Sequence, residues 1–134
     1  MNDPSLVHKP DTPAQRQKLA DAAVVGKAAV RAAERLGLNG RRLGAILGLS
    51  EASISRLKRQ ELALQPTDKA FELALLFIRL FRSLDAVTGG DEATARAWMQ
   101  NRNTALEAVP ADKILTVSGL IDVLAYLDAR RALV

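Results

Sequence analysis

The segment FELALLFIRLFRSL, residues 71–84, restricts the possible folds of this chain more than any other stretch. Phe71, Leu73, Leu75, Leu76, Phe77, Ile78, Leu80, Phe81 and Leu84 put apolar side chains on most sides of a helix. That helix starts at Thr67 or Asp68, just after Pro66, and runs to about Val87. Glu72, Arg79, Arg82 and Ser83 leave only a narrow polar strip. A helix this apolar must be covered nearly all round. It is therefore either central to the fold or shared with a second subunit. The apolar run within it, Leu73 to Ile78, is six residues long and flanked by Glu72 and Arg79. A span of about 20 residues is needed to cross a bilayer, so the expectation is a soluble cytoplasmic protein with no membrane partner.

The rest of the chain reads as helix as well. Ala and Leu dominate, β-strand alternation is missing, and Gly and Pro fall between the periodic segments. Residues 1–12, with Pro4, His8 and Pro10, are expected to be disordered. Pro13 suits a first helical turn. The helix it opens reaches about Leu36, with a break allowed at Gly26. Leu19, Ala22, Ala23, Ala29, Val30, Ala33 and Leu36 line one side of it. Gly37 stops that helix, and Asn39 caps a short one over Gly40–Leu47. Gly48 ends it, Ser50 caps the next over Glu51–Gln60, and ELALQP connects to the long apolar helix. After TGGDE, Asp91 caps a helix with Ala95, Trp98 and Met99 on one face. NRNTALEAV is a loop, Pro110 opens a short turn, and Thr116 caps a last helix over Val117–Ala132. Leu120, Val123, Leu124 and Leu127 face inward there. The fold class is all-α.

Hydrophobic residues make up 49% of the 134, enough for one domain or for two small lobes sharing a core. Cysteine is absent, which excludes disulfides and thiolate metal sites. The one histidine, His8, lies in the proline-broken N-terminus, and no glycine-rich phosphate loop follows a strand. Asp91, Glu92, Asp122 and Asp128 read as helix-start and solvent charges rather than a catalytic pair. No metal or cofactor site emerges, and an enzyme is not expected.

Charge is unevenly spread. Residues 13–60 carry ten Lys and Arg against three acids, whereas residues 61–134 carry eight against ten. An anionic partner is thus expected for the first half only. Within that half, LGAILGLSEASISRLKRQ has the spacing of a helix-turn-helix. Gly44 is small where two helix backbones approach, and Gly48 tolerates the turn. Leu43, Leu47, Leu49, Ile54 and Leu57 lock the second helix onto the first. With Ile54 and Leu57 inward, Glu51, Ala52, Ser55, Arg56 and Arg59 face outward, where they would enter a major groove. Glu51 can accept from cytosine N4, Ala52 can touch a thymine methyl, and Arg56 can reach guanine O6 and N7. Arg41, Arg42, Ser50, Ser53, Lys58 and Arg59 suit phosphates. An ordinary helical hairpin with solvated charges is the bland alternative.

The pattern resembles the xenobiotic-response-element (Xre), phage-repressor-like helix-turn-helix class. Gly44 stands where that class usually has Ala, a change that costs about 1 kcal/mol of helix propensity at most. The second half is similar to the C-terminal domain of the Xre/MbcA/ParS antitoxins. That resemblance rests on Trp98, Asn103, Ala105 and Leu106, followed by Pro110, Asp112, Thr116 and Gly119, in order and at matching spacing. Arg102 replaces a frequent Pro, and Glu107-Ala108 a frequent Gly-Gly.

Three regions are therefore expected: a disordered 1–12, an Xre-like helix-turn-helix over 13–66, and a dimer or core helix with a toxin-binding domain over 67–134. The resemblance also implies a partner toxin with a RES domain that consumes NAD⁺. The antitoxin's C-terminal region would block that toxin's active site. A homodimer would repress its own operon by binding operator DNA. Trp98, Asn103, Leu106, Arg130, Arg131, Leu133 and Val134 are the candidate toxin contacts. Each motif residue also has a bland role: Trp98 as a core anchor, Asn103 as a loop organiser, Thr116 as a cap, Gly119 as a close-packing point. The other functional reading is a stand-alone helix-turn-helix regulator whose C-terminal lobe dimerises or senses a small molecule.

Overall fold

The computed structural model describes residues 12–133, apart from the side chains of residues 18–21. The expected disorder of residues 1–12 falls outside it except at Thr12, as do His8, the inward face of Leu19, and Val134. The described residues form seven α-helices and no strand. They are α1 Pro13–Arg35, α2 Gly40–Leu47, α3 Glu51–Lys58, α4 Lys69–Val87, α5 Glu92–Gln100, α6 Pro110–Lys113 and α7 Val117–Arg131.

Local chemistry sets the helix ends. Thr12 and Gln15 form a reciprocal capping box at α1, ahead of the helix-opening Pro13. The side chains of Asn39, Ser50 and Thr116 each accept the third backbone N–H of the helix that follows. Asp91 caps differently: its carboxylate takes the hydroxyl of Thr94 instead of a backbone N–H. Helix α3 stops two residues earlier than its periodicity suggests. Gln60 adopts a left-handed φ of 62°, and the N–H of Glu61 returns 2.8 Å to the Arg56 carbonyl. This is a Schellman ending built on glutamine rather than glycine.

Helix α4 lies at the centre and packs on α1, α2 and α7. Ala74, Phe77, Leu80 and Leu84 are fully buried within the one chain. The need to cover this helix is thus met largely from inside, with Leu75 left exposed beside Val24 of α1. Helix α1 is continuous through Gly26. A Cβ there would come within 3.0 Å of Leu57 Cδ1, so that glycine lets α1 and α3 approach closely.

The polar strip of α4 differs from expectation. Ser83 is not at the surface but completely buried, and it donates 2.8 Å to Oδ1 of Asp128 on α7. Arg79 pairs with the other oxygen of the same carboxylate. Asp128, read from sequence as a solvent charge, is therefore the joint between α4 and α7. A buried hydroxyl without a partner costs free energy, and α7 supplies the acceptor that removes that cost.

Two arginines stitch the halves together. Arg96 of α5 donates from Nε to the Arg35 carbonyl at 2.8 Å and from Nη2 to the Glu34 carbonyl at 2.9 Å. A cation thereby meets the negative end of α1. Arg42 of α2 donates to the Ala111 carbonyl at 2.8 Å and to Asp112 Oδ1 at 2.9 Å. No helix is long and apolar enough to cross a membrane among the described residues.

Candidate functional site

Helices α2 and α3 form a compact pair. Gly48, at φ 70°, ends α2 in the left-handed region, and the Leu49 N–H returns 2.8 Å to the Gly44 carbonyl. A Cβ on Gly44 would sit 2.5 Å from the Leu49 carbonyl oxygen. The turn is thus too tight for alanine as it stands, which is the physical reason for glycine at that position. Ile54 and Leu57 are buried in the same core as Leu43 and Leu47, fixing the rotation of α3.

That rotation exposes Glu51, Ala52, Ser55, Arg56, Lys58 and Arg59. The Ser50 hydroxyl accepts from the Ser53 N–H at 3.1 Å and donates to the Ser53 hydroxyl at 3.0 Å. The Arg56 guanidinium reaches the Ser53 hydroxyl only at 3.5 Å, a weak tether that leaves it available to a partner. Arg59 is drawn to Glu61 at 3.2 Å. Arg41 is exposed and without an ion pair among the described residues, whereas Arg42 faces away, toward α6.

A second group of candidate residues gathers around α5 and α7. Trp98 is half-buried and stacks on Tyr126, with ring centroids 6.3 Å apart and planes 19° from parallel. Arg130 continues the stack, its guanidinium carbon 5.8 Å from the Tyr126 centroid and its Nη1 3.1 Å from the hydroxyl. The result is a surface ledge of Trp98, Tyr126 and Arg130, combining apolar area with a cation held in place. Trp98 also lines an open groove with Asn101, Arg102 and Asn103.

Asn103 holds the adjoining loop. Its side chain accepts from the Leu106 N–H at 3.0 Å, and its backbone exchanges two hydrogen bonds with Ala108. Glu107 at the tip has a left-handed φ of 54°, the conformation that glycine tolerates best. Leu106, the residue before it, is half-buried. At the start of α7, a Cβ on Gly119 would fall 1.8 Å from the Lys113 carbonyl oxygen, so α6 and α7 meet at backbone distance.

Arg131 does not share the ledge. It turns toward Ser83, 3.5 Å away, on the α4 side of α7. Leu133 is 85% exposed beyond the helix end. The structure therefore unites Trp98 and Asn103 along the groove and Trp98 and Arg130 through Tyr126, but separates Arg131 from them. Sequence reasoning missed Tyr126. Its only signal was its position one residue off the inward stripe of α7, where the tyrosine ring has one apolar face to cover.

Two family models match the chain side by side. The antitoxin Xre-like helix-turn-helix domain matches residues 15–79. The antitoxin Xre/MbcA/ParS C-terminal toxin-binding domain matches residues 83–132. Among solved structures, the chain is similar to a chain of the M. tuberculosis MbcT-MbcA toxin-antitoxin complex, at 26% identity and a TM-score of 0.61. That match covers 83% of this chain and 96% of the other. No curated protein matches closely enough to be named as a relative.

Proposed function

We propose, from the premise that this chain belongs to the Xre/MbcA/ParS antitoxin family, that it neutralises a RES-domain, NAD⁺-consuming toxin by covering the toxin's active site and represses its own operon through α3. The coarser role, an antitoxin with a helix-turn-helix and a toxin-binding domain, follows from the family itself. The finer reading is carried by the separation of two exposed surfaces. The α3 face, with Glu51, Ala52, Ser55 and Arg56, lies in the half matched by the helix-turn-helix model, and the Trp98–Tyr126–Arg130 ledge lies in the other. Each is a solvent-facing set of groups that the fold holds in place without using up. As an adaptor between DNA and a protein, the chain performs no catalysis itself.

On the DNA side, Arg56 reads guanine, Glu51 cytosine and Ala52 a thymine methyl, as outward residues of a groove-entering helix do. Arg41, Ser50, Ser53, Lys58 and Arg59 serve the phosphates, and Arg42 serves the fold. Two copies bind a two-fold operator. On the toxin side, Trp98, Leu106 and Arg130 form the contact, Asn103 shapes the loop beside it, and the exposed Leu133, with Arg131 before it and Val134 after it in the sequence, approaches the active site. The test is co-expression with the reading frame beside its gene, followed by pull-down and a growth assay. A stable complex that restores growth is expected. A toxic RES-domain partner that neither binds nor is neutralised would remove the toxin half of this reading.

A further inference from the structure

Six cations among the described residues are paired with acids. Arg42, Arg59, Lys69, Arg79, Arg96 and Lys113 each meet a carboxylate. Of the cations with no carboxylate partner among the described residues, three, Lys27, Arg31 and Lys58, line one open cleft between α1 and α3. Lys27 and Arg31 are one turn apart on α1, a spacing at which like charges repel. Lys58 adds a third positive charge from the flank of α3. Its Nζ lies 3.5 Å from where a Cβ on Gly40 would be, over the first residue of α2. Glu34 is the only acid among the described residues that line the cleft, so these residues carry a net positive charge. Leu57 and Val30 form its floor and hold α1 and α3 in fixed relation. Gly26 makes that relation close, with only 3.0 Å from its absent Cβ to Leu57 Cδ1.

Three cations against one acid leave the cleft with an unbalanced positive charge, which a polyanion would offset. All three residues are exposed. Exposed Lys and Arg side chains along an open cleft suit a run of backbone phosphates, which they bind by displacing counterions, better than a single enclosed phosphate. The cleft also adjoins the outward face of α3, to which Arg56 and Arg59 belong.

We propose that the α1–α3 cleft is a second phosphate-binding site, through which Lys27, Arg31 and Lys58 grip the DNA backbone beside the groove that α3 enters. The proposal rests on the DNA-binding reading above, but it assigns binding to α1, which lies outside the helix-turn-helix pair.

The test is DNA binding of the full chain across a salt series. The probes are a duplex taken from upstream of its own gene and a random duplex of equal length. The double variant Lys27→Gln/Arg31→Gln removes two charges from exposed positions. For each bound copy, the slope of log affinity against log salt should become shallower by about 1.8, a roughly 30-fold loss per copy at 0.15 M salt. The loss should be equal on both duplexes. Glu34→Gln should act in the opposite direction and tighten both several-fold, which an unfolded variant could not do. An unchanged slope, or a loss confined to the upstream duplex, would overturn the proposal and leave the α3 reading standing. No binding of either duplex by the unaltered chain would overturn both.

Discussion

Gly119→Ala tests the closest backbone approach in the C-terminal lobe. The added Cβ would lie 1.8 Å from the Lys113 carbonyl oxygen, 2.8 Å from its carbon and 2.9 Å from Thr116 Oγ1. Carbon and oxygen settle at about 3.3 Å or more, so α6 and α7 must part by roughly 1.5 Å. The Thr116 cap on the Gly119 N–H, now 3.1 Å long, is lost in the process, costing about 1 kcal/mol. Ile114 and Leu120, both buried beside it, are forced to repack, at about 1–3 kcal/mol. Alanine returns about 1 kcal/mol of helix propensity. The net loss is about 1–3 kcal/mol, which for a chain of this size lowers Tm by about 4–12 °C.

Gly48→Ala is the control. It meets nothing within 4 Å and carries only the cost of its left-handed φ of 70°, about 1–2 kcal/mol. Thermal and urea unfolding of both variants separates steric overlap from backbone strain. The two losses overlap in size, so the decisive reading is where they act. Gly119→Ala should weaken toxin capture with DNA binding retained, and Gly48→Ala the reverse. A Gly119→Ala protein with unaltered Tm and unaltered toxin capture would refute the reasoning.

Other outcomes follow from named contacts. Arg56→Ala should weaken operator binding by about 1–3 kcal/mol and relax preference at one base pair; equal loss on random DNA would make Arg56 a phosphate contact. Asp128→Ala strips the acceptor from buried Ser83 and the partner from Arg79, so urea unfolding should show a loss of about 1–3 kcal/mol. The double variant Ser83→Ala/Asp128→Ala should recover part of it, and a strictly additive result would mean the two do not act together. Ending the chain after Ala132 removes Leu133, which is 85% exposed. Stability should then stay within about 0.5 kcal/mol while growth rescue weakens, and full rescue would exclude a docking role for that end.

Several features of this chain were already plain in its residues, and the reason is that they are local. Asn39, Ser50 and Thr116 cap the helices that follow them because a side-chain oxygen needs only to reach three residues ahead. Gly48 ends α2 because its own backbone allows positive φ. Ile54 and Leu57 face inward because helical spacing permits little else in an amphipathic α3. The exposed face of Glu51, Ala52, Ser55 and Arg56 follows from that, as does the all-α class.

Only the tertiary structure decided which polar groups meet across the chain. Asp128 and Ser83 are 45 residues apart, Arg42 and Asp112 are 70 apart, and Arg96 reaches the Glu34 carbonyl across 62. Periodicity assigns each of these residues to a face of its own helix but says nothing about which helix lies opposite. Ser83 therefore read as surface and proved buried, and Arg42 read as a phosphate contact and proved to be tied to α6. The Trp98–Tyr126–Arg130 ledge and the basic cleft of Lys27, Arg31 and Lys58 arise the same way. Sequence determines which groups a helix presents, and packing determines which of them are paired within the fold and which remain free for a partner.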